Sequence, residues 1–297
     1  MDNKNTKAKL QLIISMFIFG TIGIFRKYIP LPSSVIALVR GAVGALFLVL
    51  ASSVTRTKIS GTAFKKNALY LVLSGVFIGF NWILLFEAYN NTSVAVATLC
   101  YYMAPVIVML LSPFVVREKL DAKKWICILI ALVGMVFVSG VLNNGITNTS
   151  EIKGILFGLG AAALYAFVVL INKKIKDISP NDKTVYQLGI AAITLLPYTL
   201  LTEKITIAEI DTKAVLLLVF VGIVHTGITY YLYFGSLGVL PAQTAALYSY
   251  IDPIVAIVLS ALLLKEKFGL FELIGTLLIL GSTVICEVPL NKTKKQQ

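Results

Sequence analysis

One stretch of about 24 apolar residues occurs twice in the chain, 148 residues apart. The first copy carries Ala97, Leu99, Tyr102, Pro105, Leu111, Ser112, Glu118 and Lys119. The second carries Ala245, Leu247, Tyr250, Pro253, Leu259, Ser260, Glu266 and Lys267 at the same offset and without a gap. Each copy follows a short polar turn and ends in a basic-Glu-Lys triplet. An apolar run of that length with an interfacial stop reads as a membrane-spanning helix. The mid-span prolines Pro105 and Pro253 lack an N–H and so release a backbone carbonyl. Lipid cannot satisfy that carbonyl, so protein or a water-filled cavity must. Both copies are therefore expected to face the interior of a bundle.

The rest of the chain fits the same environment. Only 13% of the 297 residues are charged and 58% are hydrophobic, against about a quarter charged in soluble domains. Ten apolar runs are expected to span, at roughly 10–28, 33–54, 67–89, 93–116, 122–141, 152–172, 182–202, 213–236, 241–264 and 268–288. The polar run 143–150 divides them into a first unit, 1–146, and a second, 147–297. The fold expected is an all-α integral membrane protein of ten transmembrane helices, arranged as two five-helix repeats. Because five is odd, the two repeats must be inverted with respect to each other. That is a transporter architecture, with a site where the halves meet near the midplane.

The net charge of +12 would suggest nucleic acid on a soluble protein. Here loop lysines and arginines account for it. With the N-terminus inside, 18 basic residues fall on inside segments and 7 on outside ones, which places both termini in the cytoplasm of a cell membrane. Cys100, Cys127 and Cys286 lie within apolar runs and form no spaced ligand set. No GxSxG, HExxH or phosphate-binding loop is present, so neither hydrolysis nor ATP-driven pumping is expected, and no metal or other cofactor is implied. Glycine pairs at helix-face spacing, Gly41 with Gly44, Gly75 with Gly79 and Gly154 with Gly158, are expected at close helix contacts.

Ionisable residues inside spans are costly and select candidates for function. Arg40 and Glu87 both stand towards the outer ends of their spans, where they can pair as a structural ion pair; alternatively Arg40 anchors an anionic substrate group. Asp252 precedes Pro253 where the first repeat has Ala104, and can hold a cationic substrate group or exchange a proton. His225, the single histidine, can relay protons or serve as a hydrogen-bonded packing residue. Deep polar aromatics cluster about both prolines. Asn81 and Trp82 match Thr229 and Tyr230; Tyr101 and Tyr102 match Ser249 and Tyr250, with Tyr248 alongside. Lining of this kind suits a small, mostly apolar molecule with a few polar handles.

The pattern resembles the EamA-type exporters of the drug/metabolite transporter superfamily. The features that carry the resemblance are the Ala-rich starts at 93–97 and 241–245, Pro105 with Glu118, Pro253 with Glu266, and Arg40 early in the second span. The resemblance covers about 10–288 and implies outward transport of amino acids, other metabolites or drugs, driven by protons or another coupling ion. It also implies that the first and sixth spans are moving walls. Asp252 is outside the family's common pattern. A secondary exporter of a small metabolite is the leading expectation. A multidrug or cation efflux transporter is the second, and a membrane enzyme or sensor a remote third.

Overall fold

The structure is a computed structural model that describes residues 3–115, 122–138, 149–203, 211–237, 239–240, 248–249, 251–265 and 269–287. Among them the regular elements are helices: α1 (Asn3–Gly20), α2 (Ile22–Lys27), α3 (Ser33–Val54), α4 (Gly61–Asn91), α5 (Val94–Tyr101), α6 (Ala104–Val115) and α7 (Ala122–Val138). The second half supplies α8 (Thr149–Asn172), α9 (Pro180–Thr202), α10 (Thr212–Phe220), a π-helical stretch (Val221–Ile228), α11 (Thr229–Leu237), α12 (Ile251–Leu263) and α13 (Leu270–Glu287).

Six helical segments are long and apolar enough to cross a membrane: Asn5–Lys27, Ser33–Val54, Gly61–Asn91, Thr149–Asn172, Pro180–Thr202 and Thr212–Ser236. They coincide with six of the ten expected spans. Shorter apolar helices fall in the other four, within Val96–Val108, Trp125–Gly134, Ile251–Leu263 and Leu273–Ser282. Local chemistry sets where helices begin. The Ser60, Ser93 and Ser179 hydroxyls accept from Ala63 N, Val96 N and Asp182 N at 3.2, 3.1 and 3.0 Å, and Asp211 caps Lys213 N. Pro180 follows Ser179 at the first helical position, where its missing N–H costs nothing.

Two spans are interrupted. The fourth breaks at Tyr102–Met103, between α5 and α6, just before Pro105. Proline cannot bond back to the carbonyl of Tyr101, so the break is where its chemistry puts it. The first breaks at Thr21, between α1 and α2, which the apolar pattern does not announce. The eighth stays continuous but widens into the π-helical turn. There Thr226 Oγ1 and Thr229 Oγ1 donate to the carbonyls five residues back, Val221 O and Val224 O, at 3.1 and 2.6 Å.

Helix packing follows the repeat. α4 packs on α8 as α11 packs on α1; α9 packs on α4 as α3 packs on the π-helical stretch; α6 packs on α8 as α12 packs on α1. The pairs α3 with α9 and α7 with α13 pack each on its own counterpart. Exchanging the halves thus maps these contacts onto themselves. Matched helices run in opposite senses. α4 starts beside the residues 176–182, where Asn67 bonds Lys176 O and Ser60 N bonds Asp182. Its counterpart α10 starts at the other end, where Lys213 lies over Tyr28, and α11 returns to a pocket shared with Lys7 and Pro180.

Close contacts rest on small residues as the sequence suggests. A Cβ on Gly44 would stand 2.9 Å from Thr226 Cγ2, 3.0 Å from Gly222 O and 3.1 Å from Gly227 N. Large apolar side chains such as Leu46, Leu69, Val133 and Leu201 point outward, which suits hydrocarbon rather than water.

Candidate functional site

Trp82 on α4 and Tyr230 on α11 are matched positions of the repeat, and they touch. Trp82 Nε1 donates to the Tyr230 hydroxyl at 3.0 Å, with the rings edge to face at 5.9 Å. Matched residues can meet only close to the axis that exchanges the halves, so this pair marks the seam. Tyr102 makes a second crossing. Its hydroxyl donates to Ser249 O at 3.0 Å, and Ser249 is the counterpart of Tyr101.

An aromatic cluster spreads from this seam. Tyr101 lies 6.1 Å from Tyr102 and 5.4 Å from Tyr165 on α8. The Tyr165 and Tyr233 hydroxyls share a hydrogen bond of 2.7 Å. Phe19 at the end of α1 packs edge-on against Tyr230 and Tyr233 at 5.1 and 6.0 Å. Asn81 is buried and positions the cluster: its amide donates to Ala161 O at 2.6 Å and it also hydrogen-bonds Tyr101. Tyr248 is half-buried and packs against the main core. Tyr250 lies outside the described residues.

Asp252 stands in the first turn of α12, with Pro253 next to it inside the helix. Tyr102 lies beside it, its hydroxyl proton directed to Ser249 O, and Tyr89, Tyr101, Tyr230 and Tyr233 lie within its electrostatic reach. Gly20, at the break in the first span, rests directly on it. A Cβ there would be 2.6 Å from Asp252 O. The sequence-predicted candidates Tyr101, Tyr102, Tyr230 and Asp252 thus come together, around elements from both halves.

Arg40 is placed differently from the expected ion pair. Its Nε donates to Thr226 Oγ1 at 2.9 Å, and its guanidinium lies 4.4 Å from the Trp82 ring centroid and 5.5 Å from that of Phe86. It is 3% exposed. Glu87 is one residue beyond Phe86, so its side chain leaves that helix face. Its Oε1 accepts from Asn90 at 3.4 Å, and its charged neighbour is Arg26. Arg26, counted from the sequence among outer loop cations, is buried. It donates to Ile29 O at 2.9 Å and to Asn90 Oδ1 at 2.8 Å, tying the C-terminal ends of α2 and α4.

His225 links the two irregular spans. Its Nε2 is 2.7 Å from Thr21 Oγ1, and Thr21 in turn donates to Ile18 O at 2.7 Å. With that hydroxyl proton committed, Nε2 must be the donor and Nδ1 the bare acceptor. Nδ1 is buried with no hydrogen-bond partner. Phe25 and Phe220 flank the ring at 4.7 and 5.7 Å. Phe19, Thr21, Tyr165 and Tyr233 are contributors that the sequence reading does not include. Thr21 is a lone polar residue in an apolar run, which a helix tolerates, and gave no signal of the break. The two tyrosines sit in unremarked apolar runs and offered none.

Comparison with known proteins places this geometry in context. The model of the EamA-like transporter family matches residues 6–140 and again residues 152–286. The chain is 34% identical over 289 residues to an uncharacterized transporter, YxxF, of Bacillus subtilis (strain 168), covering 96% of this chain and 90% of the relative. It is 30% identical over 205 residues to the protein RarD of Salmonella typhi, 66% of either chain. A solved crystal structure only 17% identical in sequence shares the fold, with a TM-score of 0.70 over 94% of this chain and 96% of that one.

Proposed function

We propose, from the premise that the chain belongs to the EamA-like transporter family, that it is a secondary transporter exporting a small metabolite such as an amino acid. Membership makes it a multi-pass membrane transporter of a small molecule rather than an enzyme. Export, and alternating access between two inverted five-helix repeats of a cell-membrane protein with both termini cytoplasmic, are the finer reading. The observation that supports it most is the seam itself. Trp82 meets its own counterpart Tyr230 there, and α1, α4, α5, α8, α11 and α12 all send side chains to the surrounding cluster.

In this reading Tyr101, Tyr102, Tyr248, Tyr250 and Asp252 line the site. Asn81, Trp82 and Tyr230 hold it in shape. Arg40, His225 and Asp252 are the groups that answer to substrate or coupling ion, and Glu87 belongs to the outer closure with Arg26. The breaks at Thr21 and before Pro105, and Pro253 in α12, are where helices can pivot as the halves rock.

The test compares metabolites released by cells that express the protein with those from cells that lack it. One compound or chemical class accumulating outside only with the protein is the expected result. Asp252→Asn should lower that release, or flatten its pH dependence, while the protein remains in the membrane. Unchanged release at every pH would remove Asp252 from the mechanism. The tyrosine-rich lining also favours a second reading, efflux of diverse organic cations. Broad competition among unrelated cations would select it.

A further inference from the structure

We infer that the groove at the C-terminal end of α3 is a binding site for the headgroup of an anionic phospholipid, held by Arg56 and Lys58. The groove lies away from the seam and does not depend on what the protein carries.

α3 ends at Val54, and the chain turns through 55–60 into α4. At this turn lies a groove of about 500 Å³ lined by Val49, Ser52, Ser53, Arg56, Thr57 and Lys58. Neither Arg56 nor Lys58 has a carboxylate partner among the described residues. The carboxylate that reaches the turn, Asp182, is buried, and its Oδ2 accepts from Ser60 N at 3.3 Å. The hydroxyl protons are committed as well. Ser52 Oγ donates to Leu48 O at 2.7 Å and Ser53 Oγ to Val49 O at 3.0 Å. Thr55 Oγ1 donates to Ala51 O at 2.9 Å, which leaves the Thr57 hydroxyl to donate to Thr55 Oγ1 at 3.1 Å. The side-chain donors left for a ligand are the guanidinium and the ammonium, so the groove selects an anion over a neutral polyol. Arg56 also stands in left-handed backbone, φ 55, just past the helix. Glycine takes that conformation with less strain, so a long cationic side chain kept there points to a use for it.

Its place in the fold selects a lipid-borne anion. α3 is long and apolar enough to cross the bilayer, so its end stands at headgroup level. At about 100° per residue, Leu46, Leu50 and Val54 form the helix face next to the one that carries Val49, Ser53 and Arg56. All three are exposed, Val54 by 83%. An acyl chain along that face and a phosphate at Arg56 and Lys58 belong to one molecule, the arrangement by which basic pockets at helix ends recognise headgroups. Asn181 at the start of α9 donates to Ser52 Oγ at 2.9 Å, so a lipid bound here would brace the contact of α3 with α9.

The experiment uses the delipidated full chain in a neutral detergent, read by native mass spectrometry. The probes are short-chain phosphatidylglycerol, short-chain phosphatidylcholine, glycerol phosphate and inorganic phosphate. A saturable adduct of phosphatidylglycerol is expected, about tenfold or more tighter than that of phosphatidylcholine. Arg56→Gln with Lys58→Gln should remove that preference, at roughly fivefold per cation lost. Lys65→Gln with Lys66→Gln removes two exposed cations of α4 that do not line the groove, and should leave the preference intact. Should the first pair not fold, Arg56→Gly suits the left-handed backbone. It should hold or raise the thermal midpoint while weakening phosphatidylglycerol about fivefold. Equal affinity for the two lipids, an equal loss from the Lys65 and Lys66 pair, or unchanged binding in the Arg56 variants would overturn the site. Glycerol phosphate or inorganic phosphate binding as tightly as phosphatidylglycerol would overturn the lipid in favour of a free phosphate.

Discussion

Trp82 and Tyr230 show what a single residue contributes at the seam. Both are buried, and the indole N–H finds its acceptor in the Tyr230 hydroxyl. Trp82 also carries the Arg40 guanidinium on its face, a contact of about 2 kcal/mol when desolvated. Trp82→Phe keeps most of the ring and removes the donor. It should cost about 1–3 kcal/mol, because the Tyr230 hydroxyl is left without its donor. Tyr230→Phe should cost a similar amount. The double variant should cost clearly less than the two together, since both single losses describe one bond. Thermal midpoints in one detergent give the three numbers. Strict additivity would mean that the hydrogen bond across the seam contributes nothing.

At the scale of helices, close approach is what the small residues provide. Gly44 lets α3 lie on the π-helical stretch, with backbone atoms of Gly222 and Gly227 about where a Cβ would go. Backbone cannot yield as a flexible side-chain end can, so Gly44→Ala should destabilise by about 1–3 kcal/mol. Gly189→Ala, on α9 with nothing within 4 Å of its Cβ position, is the control and should hold or raise the midpoint. Equal midpoints for the two variants would contradict the packing described for α3.

The same elements show how far the sequence could be read. Span positions follow from the length of hydrocarbon to be crossed, so the six long apolar helices were legible, and so was the break at Pro105, because proline lacks an N–H. The break at Thr21 and the π-helical turn were not. Hydrophobic composition is the same whether a helix continues, breaks or widens, and the irregularity is stabilised by partners distant in sequence, such as His225 for Thr21. The site was half legible for the same reason. Asp252, Tyr101, Tyr102 and Tyr230 stand out as polar groups at matched depths. Tyr165 and Tyr233 become visible only when α8 and α11 bring their hydroxyls to 2.7 Å. The expected Arg40–Glu87 pair fails at residue resolution: depth along two spans says nothing about which face a side chain takes.

For the whole molecule, the repeat governs the packing of the helices. On the alternating-access reading proposed above, contacts that map onto themselves on exchanging the halves would give two arrangements of similar energy, one for each direction of opening. Lys7, Arg56, Lys58, Lys176 and Lys183 lie towards the end where Asn67 and Ser60 make their contacts, while Arg26, Lys27, Lys213, Glu87 and Glu203 lie towards the other. On that reading the seam is the place reached alternately from both sides. The direct test places one cysteine at position 101, Tyr101→Cys, in a chain whose Cys100, Cys127 and Cys286 are replaced by alanine, and applies a membrane-impermeant thiol reagent to one face of sealed vesicles at a time. Alternating access predicts labelling from either face, slowed from both by the transported compound. Labelling from one face only, or from neither, would contradict a transport path through the seam.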